Sequence, residues 1–452
     1  MADGVQGNLN EIETRPVGRL LWQYSVPAVV GMLVMALYNV VDRIFIGQGV
    51  GHEAIAGLAI TFPILNLTTA IGVLIGVGSS AWISILLGRR DRERAQLMLG
   101  NAAVLTVVNA TVYITVFVIF LDPILRAFGA SDVTLPYARS YIIYLLPGLL
   151  LTNVSFSLNN IIRSSGYPRR AMFTMLIGAI SNVALDALFI FVFDMGMVGA
   201  AIATDIAMGL SAIFVLAHFF RRDSTVRFSR GIYRLKWGIF VQIVSIGAAP
   251  ALVNFASCFI NVLINRSLYS HGGDTAIAAA GIFVTYTSLL TTIVLGICQG
   301  MQPIVGYNFG AGHLHRLRRT LWLAAGASTL ITAVGSAAGM LFPRMIARAF
   351  TVDEELIAVT VHCLRTALLV FAVVGFQVIA TAFFQSIGCS AKSIFLSLSR
   401  QVLFLIPMLL VLPGKMGLTG IWLSFPASDV LATVVAAVMV SSQLKKLDMP
   451  KG

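Results

Sequence analysis

Residues 27–42 read PAVVGMLVMALYNVVD, an apolar run broken only by Tyr38 and Asn39 that ends on a carboxylate. Residues 179–193 read AISNVALDALFIFVF and hold a second carboxylate, Asp186, with Asn182 one helical turn before it. Runs this long and this apolar are what a helix needs to cross bilayer hydrocarbon. A carboxylate at that depth costs roughly 2.5–3.5 kcal/mol on insertion scales, so it persists only with a partner, a proton or a cation. Asp42 and Asp186 are therefore candidate functional residues, and their chemistry suggests a single shared ion site.

The rest of the chain has the same character. Of its 452 residues 58% are hydrophobic and 11% charged, and the mean hydropathy is +0.89. Such a composition excludes an ordinary soluble domain. Apolar segments long enough to span a membrane fall at 21–46, 55–87, 96–121, 136–162, 168–193, 196–220, 239–268, 276–304, 318–342, 355–384, 391–412 and 418–442. The expected fold is an all-α integral membrane protein of twelve transmembrane helices. Met1 to Arg19 is polar and leads straight into the first segment, so no cleavable leader is expected. Cys258, Cys298, Cys363 and Cys389 all lie in apolar segments without metal-ligand spacing and read as buried thiols, so no structural metal is expected. The histidines do not cluster, and no phosphate loop, metalloprotease helix or nucleophile elbow is present, so the chain does not read as an enzyme.

The net charge of +12 would suit a nucleic-acid binder, but its distribution does not. Numbering the loops alternately from the N-terminus puts 23 of the 31 Lys and Arg on one side, including Arg89, Arg90, Arg92 and Arg94 and six in the 221–238 loop. That asymmetry places both termini and the 221–238 loop in the cytoplasm. The basic charge is a topology signal, and the expected partners are membrane lipids and small organic molecules.

The chain also repeats itself with a shift of 222 residues. Ala54-Ile55-Ala56 matches Ala276-Ile277-Ala278, Gly78 matches Gly300, Gly88 matches Gly310, and Arg94 matches Arg316. Arg126-Ala127-Phe128 matches Arg348-Ala349-Phe350, and Ser164 and Gly166 match Ser386 and Gly388. The shift becomes 223 at Pro27 and Pro250, and 221 at Met195-Gly196 and Met416-Gly417. Residues 1–220 and 239–452 then form two six-helix lobes of like orientation, joined by the 221–238 linker and related by a pseudo-two-fold axis along the membrane normal. The arrangement suits alternating access by a monomer.

The repeat fails where it is chemically interesting. Asp42 aligns with Asn265, Asn159 with Thr381, Asn182 with Phe404 and Asp186 with Met408, while Thr204 falls near Phe425 or Pro426. Polar residues that served only as interhelical glue would be expected in both halves. The loss of carboxylates places the ion chemistry in the first half. Asn182 and Asp186, four apart, share one helix face, and with Asn159, Asn160, Thr204 and Asp205 they offer carboxylate, amide and hydroxyl oxygens of the kind a hard cation prefers. The same carboxylates could carry protons instead. Gln302 and Gln377 in the second half read as a weakly polar substrate cleft, which Asp429 either joins or leaves for a bond to a neighbour such as Arg400. Arg43 either pairs with Asp42 or snorkels to the interface. Pro27 and Pro250 kink the first helix of each half, and Pro27 reads as a hinge on the helix that carries Asp42.

These stretches together resemble the multidrug and toxin extrusion (MATE) family of cation-coupled antiporters. The resemblance runs through Pro27 with Asn39-Val40-Val41-Asp42 and Gly47, Gly88-Arg89-Arg90-Asp91, Gly310-Ala311-Gly312, Asn160-Ile161-Ile162-Arg163-Ser164-Ser165-Gly166, Asn182-Val183-Ala184-Leu185-Asp186 and Gly196-Met197-Val198-Gly199-Ala200-Ala201. It covers about residues 15–445. The branch most like it is the bacterial one related to the DNA-damage-inducible and staphylococcal-type exporters. The resemblance implies two V-shaped lobes, export of drug-like and often cationic compounds, and no cofactor beyond the transported Na+ or H+. It also implies an ion site of Asp42, Asn159, Asn182, Asp186 and Thr204. A lipid-linked oligosaccharide flippase of the same superfamily is the alternative; it would need a wide cationic cavity, and the intramembrane arginines here are few.

Overall fold

In hydrocarbon every backbone N–H and C=O must be satisfied within the chain, and an apolar sequence meets that demand by becoming helix. The computed structural model describes residues 11–50 and 52–448, and its regular elements are all helical. The two termini and the Cys258 thiol, which the sequence reading placed in the cytoplasm and in the core respectively, lie outside what is described.

Six helices make up the first half: α1 Val17–Gly49, α2 His52–Gly88, α3 Arg92–Ala127, α4 Leu135–Ser164, α5 Pro168–Asp186 and α6 Gly196–Phe220. The α5 backbone runs on into a π-helical stretch, Ala187–Val192, whose start falls directly after Asp186. In the second half the chain from Trp237 to Gly310 is helical throughout, and at roughly 110 Å it would be far too long for one crossing. Gly273, with φ 62°, breaks it into two arms, α7 and α8. Leu314–Leu341 forms α9. The expected segment 355–384 is not one straight helix: Glu354–Ala367 (α10) and the stretch from Phe371 to Ser386 (α11 from Val374) meet at 57°. The last 59 described residues, Ser390–Asp448, pass through a π-helical turn at Ser399–Leu405 and break at Gly417, φ 57°, into α12 and α13. Taking each broken helix as two crossings and the bent pair as one gives the twelve expected. Gly417 is the repeat partner of Gly196, φ 55°, so the same left-handed backbone, open to glycine at no steric penalty, turns the chain before the last helix of each half.

The chain divides into two compact units, and the division does not fall in the linker. Val30–Ala251 belong to one unit, while Pro16–Val29 and the chain from Leu252 onward belong to the other. The first half of α1 and the first half of α7 are thus exchanged, each cut one or two residues beyond its proline, Pro27 or Pro250. Within the first unit α4 is central, packed by α2, α3 and α6. Its core joins Ile46, Tyr113, Phe117, Tyr141, Leu145 and Leu149. The second unit builds its core from Leu268, Phe283, Cys363, Leu364, Phe371 and Trp422. Ile46 and Leu268, Ile142 and Leu364, and Leu149 and Phe371 are repeat partners, so both cores occupy the same register. The 221–238 linker is fastened to the first unit. Buried Asn101 accepts from the Lys236 N–H at 2.9 Å and donates to the Arg234 carbonyl at 3.2 Å, and Tyr167 Oη donates to the Asp223 carbonyl at 2.6 Å. Hydrogen bonds from Arg221 and Arg170 hold the Asp223 carboxyl down to about 2.

Candidate ion site in the first half

Asn182 and Asp186 stand one turn apart on α5, and both are 0% exposed. Asn182 Nδ2 donates to Thr204 Oγ1 on α6 at 3.1 Å, and Thr204 Oγ1 donates to the Ala200 carbonyl at 3.0 Å. Half-buried Asp42, on α1, brings its carboxyl within hydrogen-bonding reach of the Asp186 carboxyl. The result is a group of acceptors short of donors. Asp186 Oδ1 and Oδ2, Asp42 Oδ1 and Asn182 Oδ1 are all shielded and have no hydrogen-bond partner among the described residues. Buried polar groups are ordinarily paired, and orphans at this density need an explanation. Two carboxyl groups facing each other are the simplest one: a proton or a cation between them would satisfy both. The π-helical turn that begins at Ala187 gives a local reason for the placement, since such turns re-aim side chains and recur at functional sites.

Four of the five expected ligands therefore assemble, Asp42, Asn182, Asp186 and Thr204. Asn159 is engaged elsewhere. Its Nδ2 donates to the Ala171 carbonyl at 2.7 Å and to Thr174 Oγ1, and its Oδ1 accepts from Arg163 Nη2 at 3.0 Å. Asn160 Oδ1 also faces Arg163, at 3.4 Å, and its Nδ2 donates to the Phe156 carbonyl. The pair thus clamps Arg163, which is 3% exposed in the last turn of α4, where the helix dipole favours a cation. Arg43 does not bond Asp42; its guanidinium lies over the Phe62 ring, 5.6 Å from the centroid.

Two tyrosines join the site that sequence reasoning left out. Tyr38 lies one turn before Asp42 on α1 and within electrostatic range of both carboxyl groups. Buried Tyr141, on α4, is in range of Asp42, Asp186, Tyr38 and Asp205. Tyr38 was legible, because it interrupts the opening apolar run four residues before the acid. Tyr141 gave no such signal. Asp205, next to Thr204, accepts from the Gly148 N–H just after the Pro147 kink, and a Cβ on Gly148 would stand 1.8 Å from Asp205 Oδ1. A glycine is required there for the acid to approach.

Among the described residues the second half has no counterpart. Asp429 is 2% exposed and accepts from Arg400 Nε at 2.6 Å, so it is paired. Gln302 and Gln377 are buried, and Gln302 Nε2 has no partner among the described residues.

Twelve membrane crossings in two repeated halves, with unsatisfied acids buried in one of them, define a multi-pass membrane transporter rather than an enzyme. The MatE family's sequence pattern matches residues 27–188 and again 244–411, once on each repeat, and the chain belongs to that family. The multidrug export protein MepA of Staphylococcus aureus (strain MSSA476) is 25% identical over 430 residues, covering 95% of this chain and 94% of the relative. MepA of Staphylococcus saprophyticus is 24% identical over 439 residues, covering 97% of each. Among solved structures, an outward-facing multidrug resistance MATE family transporter of the MOP superfamily superposes with TM-score 0.91 at 24% identity, over 97% of this chain and 98% of that one. A MOP superfamily transporter from Pyrococcus furiosus, described for the reverse polarity of its binding pocket, superposes equally well at TM-score 0.91 and 24% identity, again over 97% and 98%. The oligosaccharide-flippase alternative is not favoured, since the relatives carry the name of multidrug exporters.

Proposed function

We propose that the chain is a cation-coupled antiporter that exports drug-like, often cationic organic compounds by alternating access, with Na+ or H+ as the coupling ion. It would work as a monomer in a bacterial inner membrane with both termini cytoplasmic. One observation carries the reading: Asp42 Oδ1, both carboxyl oxygens of Asp186 and Asn182 Oδ1 are buried close together without donors among the described residues. Two carboxylates in hydrocarbon cannot both stay charged and unpaired, so the site must take up a proton or a cation in part of the cycle. Oxygen from two carboxylates, an amide and a hydroxyl also suits a hard monovalent ion. The sign of the site then changes with loading: neutralised it repels no anion and attracts no cation, and emptied it attracts a cationic substrate. Exchange of the two cations follows. Pro27 supplies the movable joint, because α1 changes unit between Val29 and Val30 and carries Asp42 at its far end. Gln302 and Gln377 serve as polar contacts in the substrate cleft. In support, relatives over the whole chain length bear the name of multidrug export proteins.

The test is dye efflux from everted vesicles under an imposed sodium or proton gradient. Efflux should follow one gradient and vanish in Asp42→Asn and Asp186→Asn while gel filtration shows folded protein. Efflux that ignores both gradients, or that persists in both variants, would sink the reading.

A further inference from the structure

At one end of the first unit, where α2 stops and α3 begins, a cavity of about 430 Å³ opens against the start of α7. Trp82, Leu86 and Met98 form its apolar floor, and Arg89, Arg94 and Lys236 stand on its rim. The rim side chains are exposed. Two acids stand close by in sequence: Asp91, which pairs with Arg94 at 3.4 Å, and Glu93, beside Arg94 in the first turn of α3. Arg89 and Lys236 make no ion pair among the described residues. The cavity is built rather than incidental. Trp82 Nε1 donates to the Gln242 carbonyl at 3.1 Å, and Asn101 grips the Lys236 N–H at 2.9 Å. Below it, α2 and α7 touch backbone to backbone: a Cβ on Gly78 would stand 2.0 Å from the Ile243 carbonyl oxygen, and one on Gly247 1.8 Å from that of Leu74.

Its depth is set by the same elements. The apolar spans of α2 and α7 end here, and Trp237, 76% exposed, stacks on Phe240 at 5.0 Å beside the cavity. An exposed tryptophan at a span's end, here stacked on half-buried Phe240, marks the headgroup level of a bilayer. Nor does the fold require the charge. The repeat-related positions of Arg89, Arg94 and Lys236 are Ala311, Arg316 and Glu13, so two of the three cations have no counterpart in a half built on the same scaffold.

We propose that this cavity binds the phosphate headgroup of an anionic phospholipid. Arg89, Arg94 and Lys236 take the phosphate oxygens, and the floor of Trp82, Leu86 and Met98 takes the first methylenes of the acyl chains. An occupant would tie the start of α7 to α2 and α3, stiffening the exchanged segment that precedes Pro250. The inference does not depend on the transport reading, since it is tested by binding alone.

The experiment measures the thermal unfolding midpoint of the full-length protein in detergent, titrated with phosphatidylglycerol, with phosphatidylcholine or with inorganic phosphate. Phosphatidylglycerol should raise the midpoint, and the other two should not. Replacing all three rim cations (Arg89→Gln, Arg94→Gln and Lys236→Gln) should raise the lipid concentration needed by about tenfold or more. Replacing three cations of the linker (Arg222→Gln, Arg227→Gln and Arg230→Gln) should leave it unchanged. None of the rim side chains is in the core, and the single Arg89→Gln variant gives a smaller shift in the same direction if the triple variant is poorly folded. The proposal is overturned if phosphatidylcholine acts as well as phosphatidylglycerol, if inorganic phosphate alone gives the whole shift, or if the rim variants respond like the parent.

Discussion

The two halves of this transporter share a scaffold and differ in chemistry. In each, the first part of one helix is lent to the other unit and seated against glycines. Gly78 and Gly247 bring the α7 segment onto α2, and Gly300, whose Cβ would stand 2.6 Å from Ser25 Cα, brings the α1 segment onto α8. Gly78 and Gly300 are repeat partners. Both cores use the same register, and both halves turn on a left-handed glycine before their last helix. Against this constancy, Tyr141 becomes Cys363, Asn182 becomes Phe404 and Asp186 becomes Met408. The acid that the second half retains, Asp429, is neutralised by Arg400. Duplication thus preserved what packs and let go what ionises. On the proposed function, coupling confined to the first half would leave the second free to present a weakly polar surface to varied substrates.

The sharpest way to break this contrast is to remove the acids of the first half. Asp42→Asn and Asp186→Asn should reduce gradient-driven efflux to background in a vesicle assay, and Met408→Ala in the second half should leave its ion dependence intact. Next come the shared glycines. Gly247→Ala and Gly300→Ala each force a Cβ into backbone that has no room to yield, and each should cost about 3 kcal/mol, read as a lower thermal midpoint in detergent. Equal losses would support a common scaffold; a loss in only one half would break the equivalence. Asp429→Asn strands the half-buried Arg400 and should cost about 2 kcal/mol, moderated because Arg400 is 29% exposed, while ion-coupled transport survives in whatever protein remains folded. The smallest effect belongs to the tyrosines. Tyr38→Phe and Tyr141→Phe should each weaken ion binding by about 1 kcal/mol, and Cys363→Ala, at the repeat partner of Tyr141, should not change it.

How much of this the sequence carried depends on periodicity and charge. Apolar run length located nearly every span, and residues 196–220 match α6 residue for residue. It could not foresee the 57° bend within 355–386, because Leu368 to Val370 are as apolar as their surroundings and no proline or glycine falls between Thr366 and Val374. Nor could it foresee the unit boundary inside α1 and α7, which tertiary packing decides. Asp42, Asn182 and Asp186 were legible because polar groups in apolar runs advertise themselves. Asn159 was equally conspicuous, yet its Nδ2 is taken by the Ala171 carbonyl and Thr174 Oγ1, twelve and fifteen residues on, a pairing that no local pattern encodes, while its Oδ1 accepts from Arg163. Tyr141 was hidden for the opposite reason: a tyrosine among Ile and Leu reads as core, and it is core, within electrostatic range of the acids.

The most direct measurement is ion release on substrate binding. Purified protein in detergent, loaded with sodium or equilibrated in weak buffer, is mixed with a cationic dye while free sodium and pH are recorded. The wild type and Asp429→Asn should release one of the two ions on dye binding, and Asp186→Asn should release neither. Undiminished release from Asp186→Asn, or its loss from folded Asp429→Asn, would contradict the assignment of coupling to the first half.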